Sequence, residues 1–400
     1  MIYHADTRGQ RARSSRGQLA DLECKQSEGR LNSGPSLTDP PPRFCDRLSC
    51  SNSAGHHAAL AKARDRQRPS IHGYSTVRKV WGEDSTAGAL HNACMGDKHS
   101  APRLHVLLAL SAEVGVVIRR GPSKRVATFL WDRARDTFQL GQWLKGRIYE
   151  RRSDLSPDGR HLIYFAFNGK HRTETRGSWT AVSRAPYLHA LDLYAKGDCW
   201  EGGGLFFTSK SYWLNNRYFC EEDILRDNSG LVRDPTARPA MQFGAECTGV
   251  YYPRLIRDGW SLIEREGVGR WNSWTIFEKP LAQGWTLRKI AHEQVDAPPG
   301  KWCYWDEHEL RHDKLGAIAC PDWEWAERDR NAVVWAEQGK LYRAPFPTDG
   351  VLSASLVHDF TPYEFQAVKA PYEADGDVML TNKARKRKAR LAARRGKQRR

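Results

Sequence analysis

Five consecutive residues, His308-Glu309-Leu310-Arg311-His312, fit the pattern H-E-x-x-H. On a helix, two histidines four apart share a face and hold a zinc ion, while the glutamate activates a metal-bound water. That chemistry belongs to a zinc-dependent hydrolase, with His308 and His312 as candidate metal ligands and Glu309 as candidate catalytic base. The flanks oppose it. A buried zinc helix needs apolar neighbours, but Asp306, Glu307, Arg311 and Asp313 crowd this one and Gly316 would end it early. Glu324 or Glu327 could complete the ligand set only from a helix, and their surroundings read as strand. The expectation is therefore a solvated loop. Cys303, His308, His312 and Cys320 offer ligand types for a structural zinc clip, at a spacing that fits no common finger. No cofactor is expected, and zinc is the alternative.

Tryptophan is the second unusual feature: fourteen of fifteen lie between Trp131 and Trp335. Exposed Trp stacks on sugar rings or anchors a protein partner, so Trp302, Trp305, Trp323 and Trp325 are candidate binding residues. Trp323 and Trp325, two apart, would share a face of a strand. Against that, Trp also fills the wedges between packed sheets, and core packing is the expectation for most of them. Paired acids such as Glu221-Glu222 and Asp306-Glu307 sit in polar surroundings and read as hydrated. Asp154 and Asp158 read as turn-shaping residues. No phosphate loop, nucleophile elbow or dinucleotide-binding glycine triplet is present.

Charge is uneven. The 400 residues carry 63 Lys and Arg against 47 Asp and Glu, yet residues 101–380 balance at 37 each and residues 381–400 hold eleven basic residues and no acid. Lys383, Arg385, Lys386, Arg387, Lys388, Arg390, Arg394 and Arg395 therefore form a polyanion-binding tail, for nucleic acid or an anionic surface. Having no aromatic residue, it would bind without reading sequence. The nine cysteines include five in the body with no C-x-x-C pair, which suits reduced thiols in a cytoplasmic protein. No stretch has the ~20 apolar residues of a membrane helix. Residues 104–118 superficially resemble a signal sequence if translation starts near Met95, but Glu113 interrupts them. They read as a first buried strand.

The elements that must position these residues are short. Residues 1–100 show no helical or strand period and read as a disordered leader, or as an extension of the reading frame not normally made. From about residue 104, strand-length apolar runs recur at 126–131, 161–167, 188–194, 204–208, 273–277, 285–290, 332–336 and 340–344, separated by Gly, Pro, Asp and Asn. One short helix is expected at 219–226. Two units repeat an order of polar turn, apolar strand, Gly turn and next strand. The first is Ser156-Pro157-Asp158-Gly159 leading to residues 161–167 and Gly169; the second runs from Asp322 through Val333 to Tyr342. The Ser-Pro-Asp-Gly turn followed by an apolar strand resembles the blade motif of β-propellers of the WD-repeat and Tol-Pal types. That resemblance implies four to six blades within about 110–365, closed so that few sheet edges are exposed. A β-sandwich is the alternative fold.

The sequence thus reads as an all-β chain with a leader (1–100), a β-propeller-like domain (101–372) and a disordered basic tail (373–400). Its expected role is a non-enzymatic interaction module for a protein or other macromolecule. The alternatives are a zinc-dependent hydrolase and a glycan-active propeller.

Overall fold

A computed structural model describes residues 101–373, apart from 123, 245, 269–271 and 300, and these all belong to the unit His91–Arg400. The expected leader and basic tail lie outside the described residues. Strands dominate and form five sheets arranged as propeller blades.

Blade one is the meander β1 (Arg103–Leu108), β2 (Val114–Arg120), β3 (Arg125–Asp132) and β4 (Thr137–Lys145). The apolar run at 104–118 is thus two strands rather than one, turned at residues 109–113. Next come β5 (Arg147–Ile148), β6 (Asp154–Leu155), β7 (His161–Phe167), β8 (Ser178–Arg184) and β9 (Ala190–Ala195), then β10 (Gly204–Thr208), β11 (Ser211–Leu214), β12 (Ile224–Asp227) and β13 (Val232–Arg233). Blade two has the order β12-β9-β8-β7-β5, with β6 also on β7; β10, β11 and β13 form the small blade three. The helix expected at 219–226 is instead a 3₁₀ turn at Glu221–Asp223 followed by β12. One α-helix, α1 (Cys247–Arg257), precedes blade four: β14 (Ser261–Val268), β15 (Asn272–Pro280), β16 (Trp285–Gln294), β17 (Tyr304–His312) and β18 (Gly316–Cys320). Blade five is β19 (Trp325–Asp329), β20 (Ala332–Glu337), β21 (Lys340–Pro345) and β22 (Ser355–Asp359).

The unbroken apolar runs have a direct cause. In β1, β2, β7 and β20 the four or five middle residues are all buried, because each sheet is covered on both faces by neighbouring blades. Leu107 and Val116 pack with Leu162 and Tyr164 between blades one and two. Ile163 and Val182 meet Phe206 and Tyr212 between two and three. Phe277 and Trp285 join Val333 and Trp335 between four and five. Val334 and Ala336 meet Phe129 and Trp131 between five and one. Between blades three and four stands α1, nine of whose eleven residues are buried.

Two glycines are fixed by space. Gly159 ends the Ser156-Pro157-Asp158 turn at φ +73°, and Gly203 at φ +76° passes so near the Arg152 carbonyl that a Cβ would lie 1.8 Å from its oxygen. The turn is stapled by Ser156 Oγ donating to Asp158 (2.6 Å) and by His161 N donating to Ser156 Oγ (2.9 Å). Among the described residues no sheet contains both the first and the last strand. The ring is closed instead by the core shared between blades five and one, and by a C-terminal strap. Arg119 Nε donates to the Phe360 carbonyl (2.7 Å), Gln142 to that of Val368 (2.8 Å), and Tyr372 Oη to that of His189 (2.8 Å).

Candidate functional site

The chemistry of this chain concentrates where α1 meets the blades. Tyr251 Oη donates to Asp306 Oδ2 on β17 (2.7 Å), and Arg254 Nη2 donates to His105 Nε2 on β1 (2.8 Å). Arg254 Nη1 donates to the carbonyls of Ser153 and Glu150. Arg257 makes a two-pronged pair with Asp154 on β6 (2.6 and 2.9 Å) and donates to the Phe206 carbonyl on β10 (3.0 Å). One helix therefore bonds to four of the five blades. Lys289 on β16 completes the cluster, with Nζ 3.2 Å from both Tyr251 Oη and His308 Nε2, and 3.6 Å from Asp306. Arg151 lies 3.1 Å from the other oxygen of Asp306.

Burial sets the protonation of this cluster. Burial, then the charge of Lys289, holds His308 down to about 3; its Nδ1–H donates to the Trp323 carbonyl (3.1 Å), leaving Nε2 as acceptor for Lys289. His105 is likewise held well below its usual value, by burial and then by Arg254. Burial opposes ionisation of Asp306, but Arg151 and Lys289 outweigh it and keep the carboxyl well below the usual range. Burial lowers Lys289 against the pull of Asp306 and Glu327.

The cluster is a septum between two cavities. β1 and the chain around β19 run past both: residues 103–105 and 321–324 line the smaller, of about 240 Å³, while residues 106–113 and 325–328 line the larger, of about 490 Å³. His105, Arg151 and Asp306 face the smaller cavity; Tyr251, Arg254 and Lys289 face the larger, which we call the funnel. Asp258 and Glu327 also line the funnel. Burial, opposed by Arg257, raises Asp258 to about 6. Glu327 accepts from Trp260 Nε1 (2.8 Å) and Lys279 Nζ (2.6 Å). In the smaller cavity burial raises Glu324 to about 7, although it accepts a bond from Leu104 N (2.9 Å).

The residues of H-E-x-x-H lie on β17, so the expected loop is corrected to a strand. In a strand, residues four apart share a face but stand about 13 Å from each other, and a shared zinc ion needs both nitrogens within ~2.1 Å. His308 is buried in the septum. His312 is half-buried, its Nε2–H donating to the Gln283 carbonyl (3.0 Å) while Nδ1 accepts from Lys314 N (3.0 Å). Glu309 points to the opposite face, 3.7 Å from Arg311. Of the other members of the zinc clip, Cys303 is exposed and Cys320 buried. Among the described residues no group of three or more His, Cys, Asp or Glu is placed to hold a metal ion.

The four candidate tryptophans do not form one surface. Trp302 is 62% exposed, with the Arg147 guanidinium 5.7 Å from its ring. Trp305 is buried, stacked on His292 at 4.5 Å. The expectation that Trp323 and Trp325 share a strand face fails because β19 begins only at Trp325. Trp323 stacks on Trp335 at 4.5 Å in the core of blades four and five, while Trp325 packs between blades five and one. Asp154 and Asp306 also need correction. Asp154 anchors α1 rather than shaping a turn, and Asp306 is buried rather than hydrated. Sequence reasoning missed Lys289, Arg254, Tyr251 and His105. The one visible signal was Trp285-x-Leu287-x-Lys289-x-Ala291, which puts a lysine at an inward position of an alternating strand. The basic tail residues Lys383 to Arg395 lie outside the described residues.

No helix among the described residues is long and apolar enough to cross a membrane. No protein-family model matches the chain, and no curated protein matches it in sequence. In structure it is similar to an uncharacterized protein from Listeria monocytogenes, with 10% identity over 65% of this chain and 84% of that one, at a TM-score of 0.24.

Proposed function

We propose that the five-bladed body is a non-enzymatic binding module, located in the cytoplasm, which receives part of a macromolecular partner at the mouth of the funnel. The observation that carries this reading is the state of the septum. His105 and His308 are held neutral as hydrogen-bond acceptors, and Asp306 serves two cations and a tyrosine. A general acid or base must be free to exchange its proton near the working pH, and these groups are committed to bonds that tie α1 to blades one, two and four. The basic run Lys383–Arg395 supplies a second, separate contact, to a polyanion such as nucleic acid.

Two assays test the reading. A chain ending at residue 380 should lose salt-sensitive binding to double-stranded DNA that the full chain has; equally tight binding by the shortened chain would contradict the division of labour. Hydrolysis assays on peptide and glycan substrates should give no turnover. Turnover abolished by Glu309→Gln or Glu327→Gln would replace the binding reading with a catalytic one.

A further inference from the structure

We infer that the funnel binds a small organic monoanion, a carboxylate carried on an apolar body. The inference rests on the binding-module reading and adds a small ligand in the funnel, beneath the macromolecular partner at its mouth. Hydrogen bonding and charge are satisfied differently at the septum. Nη1 and Nη2 of Arg254 have hydrogen-bond partners, but every one is neutral: two backbone carbonyls and an imidazole held uncharged. Among the described residues no carboxylate forms an ion pair with its guanidinium, and the more distant charges of Asp154 and Asp258 only partly offset its burial. Lys289, 1% exposed, pairs among the described residues with Asp306, which it shares with Arg151, while Glu327 acts on it from farther away. Among the residues that line the funnel, the cations Arg133, Arg254, Lys279, Lys289 and Arg328 meet the acids Glu113, Asp154, Asp258 and Glu327, five against four.

A buried charge without a counter-charge is costly, and the cost falls when an anion arrives. Both under-compensated cations, Arg254 and Lys289, line the same cavity. Their joint effect is already visible on neighbouring groups: after burial, Arg254, Arg151 and Lys289 depress His105, and only Asp306 opposes them. The funnel volume of about 490 Å³ is that of a small-ligand site. Its walls carry Val106, Leu108, Leu255, Trp325 and Ala326, so the ligand must offer apolar surface as well as a charge. An excess of one cation selects a monoanion, held by the field of Lys289 and Arg254 rather than by displacing their present hydrogen-bond partners.

Isothermal titration of the full chain with octanoate, octanol and octylamine at low ionic strength tests this. Octanoate should bind at one equivalent, at least tenfold tighter than octanol, and octylamine should not bind. Lys289→Met should weaken octanoate at least tenfold if near-ultraviolet dichroism is native. Leu110→Trp narrows the mouth at a half-exposed position and leaves the septum untouched; it should weaken octanoate by a similar factor whether or not the Lys289 variant folds. Octanol binding as tightly as octanoate, no octanoate binding at millimolar concentration, or unchanged affinity in Leu110→Trp would each overturn the anion site. None of those results produces turnover, so failure of this inference is distinguishable from failure of the binding-module reading.

Discussion

The Nζ of Lys289 stands 3.2 Å from Nε2 of His308, and its charge adds to the larger effect of burial in holding the imidazole neutral. A proton added to Nε2 would face an ammonium group inside the protein. The imidazole therefore stays unprotonated down to about 3 in the folded state, while it takes up a proton near 6.5 when unfolded. Between those values the unfolded chain binds more protons. Stability should accordingly fall as pH drops below about 6.5, by up to ~1.4 kcal/mol per pH unit for this group. His105 acts in the same direction. Urea denaturation at pH 7, 5.5 and 4.5 checks it, and His308→Gln should flatten part of the slope.

Asp306 is the counter-charge for two buried cations. Asp306→Asn keeps the shape but leaves Arg151 and Lys289 facing each other without compensation. We expect a loss of about 3–5 kcal/mol, measured by chemical denaturation. A loss below ~1 kcal/mol would mean that water reaches the septum and screens it.

The H-E-x-x-H residues should not form a metal site. Elemental analysis of the full chain should give no zinc that depends on His312, and His312→Ala should leave metal content unchanged. One equivalent of zinc that disappears in the variant would contradict the strand geometry of β17.

Gly203 and Gly230 both have positive φ, near +76° and +71°, but differ in space. At Gly230 nothing lies within 4 Å of an added Cβ, whereas at Gly203 the Arg152 carbonyl blocks it. Gly230→Ala should cost about 1–2 kcal/mol, the penalty of the left-handed conformation alone. Gly203→Ala should cost clearly more, because blade two must also shift. Thermal denaturation of the two variants side by side makes the comparison.

Residues 161–167 and 204–208 were bounded as observed; in the first, a strand buried on both sides is apolar throughout and ends where Asn168-Gly169 turns the chain. α1 was not legible for a related reason. Buried nearly all round, it has no polar face to mark a helical period, and Gly249 and Pro253 inside it read as breakers. Asp306 and His308 were hidden by alternation. Read along the chain they sit among Glu307, Glu309 and Arg311, but those residues point away from the septum. The H-E-x-x-H pattern carries meaning only on a helix, and its residues have as much right to a strand when every second one is buried. The separate fates of Trp323 and Trp325 turn on where β19 begins, a boundary that neither residue type encodes.

The strap and the shared core between blades five and one have a consequence for synthesis. Blade one leaves the ribosome first among the described elements, with Val117, Phe129 and Trp131 on the face that blade five covers. Val334 and Phe360 complete that cover only when the last blade emerges. Until then the nascent chain presents a sticky aromatic surface, and its safe passage depends on local meanders forming early and on holding by chaperones. A stall or truncation after blade four would leave that face permanently bare, which makes such fragments aggregation-prone even though every blade they contain is whole.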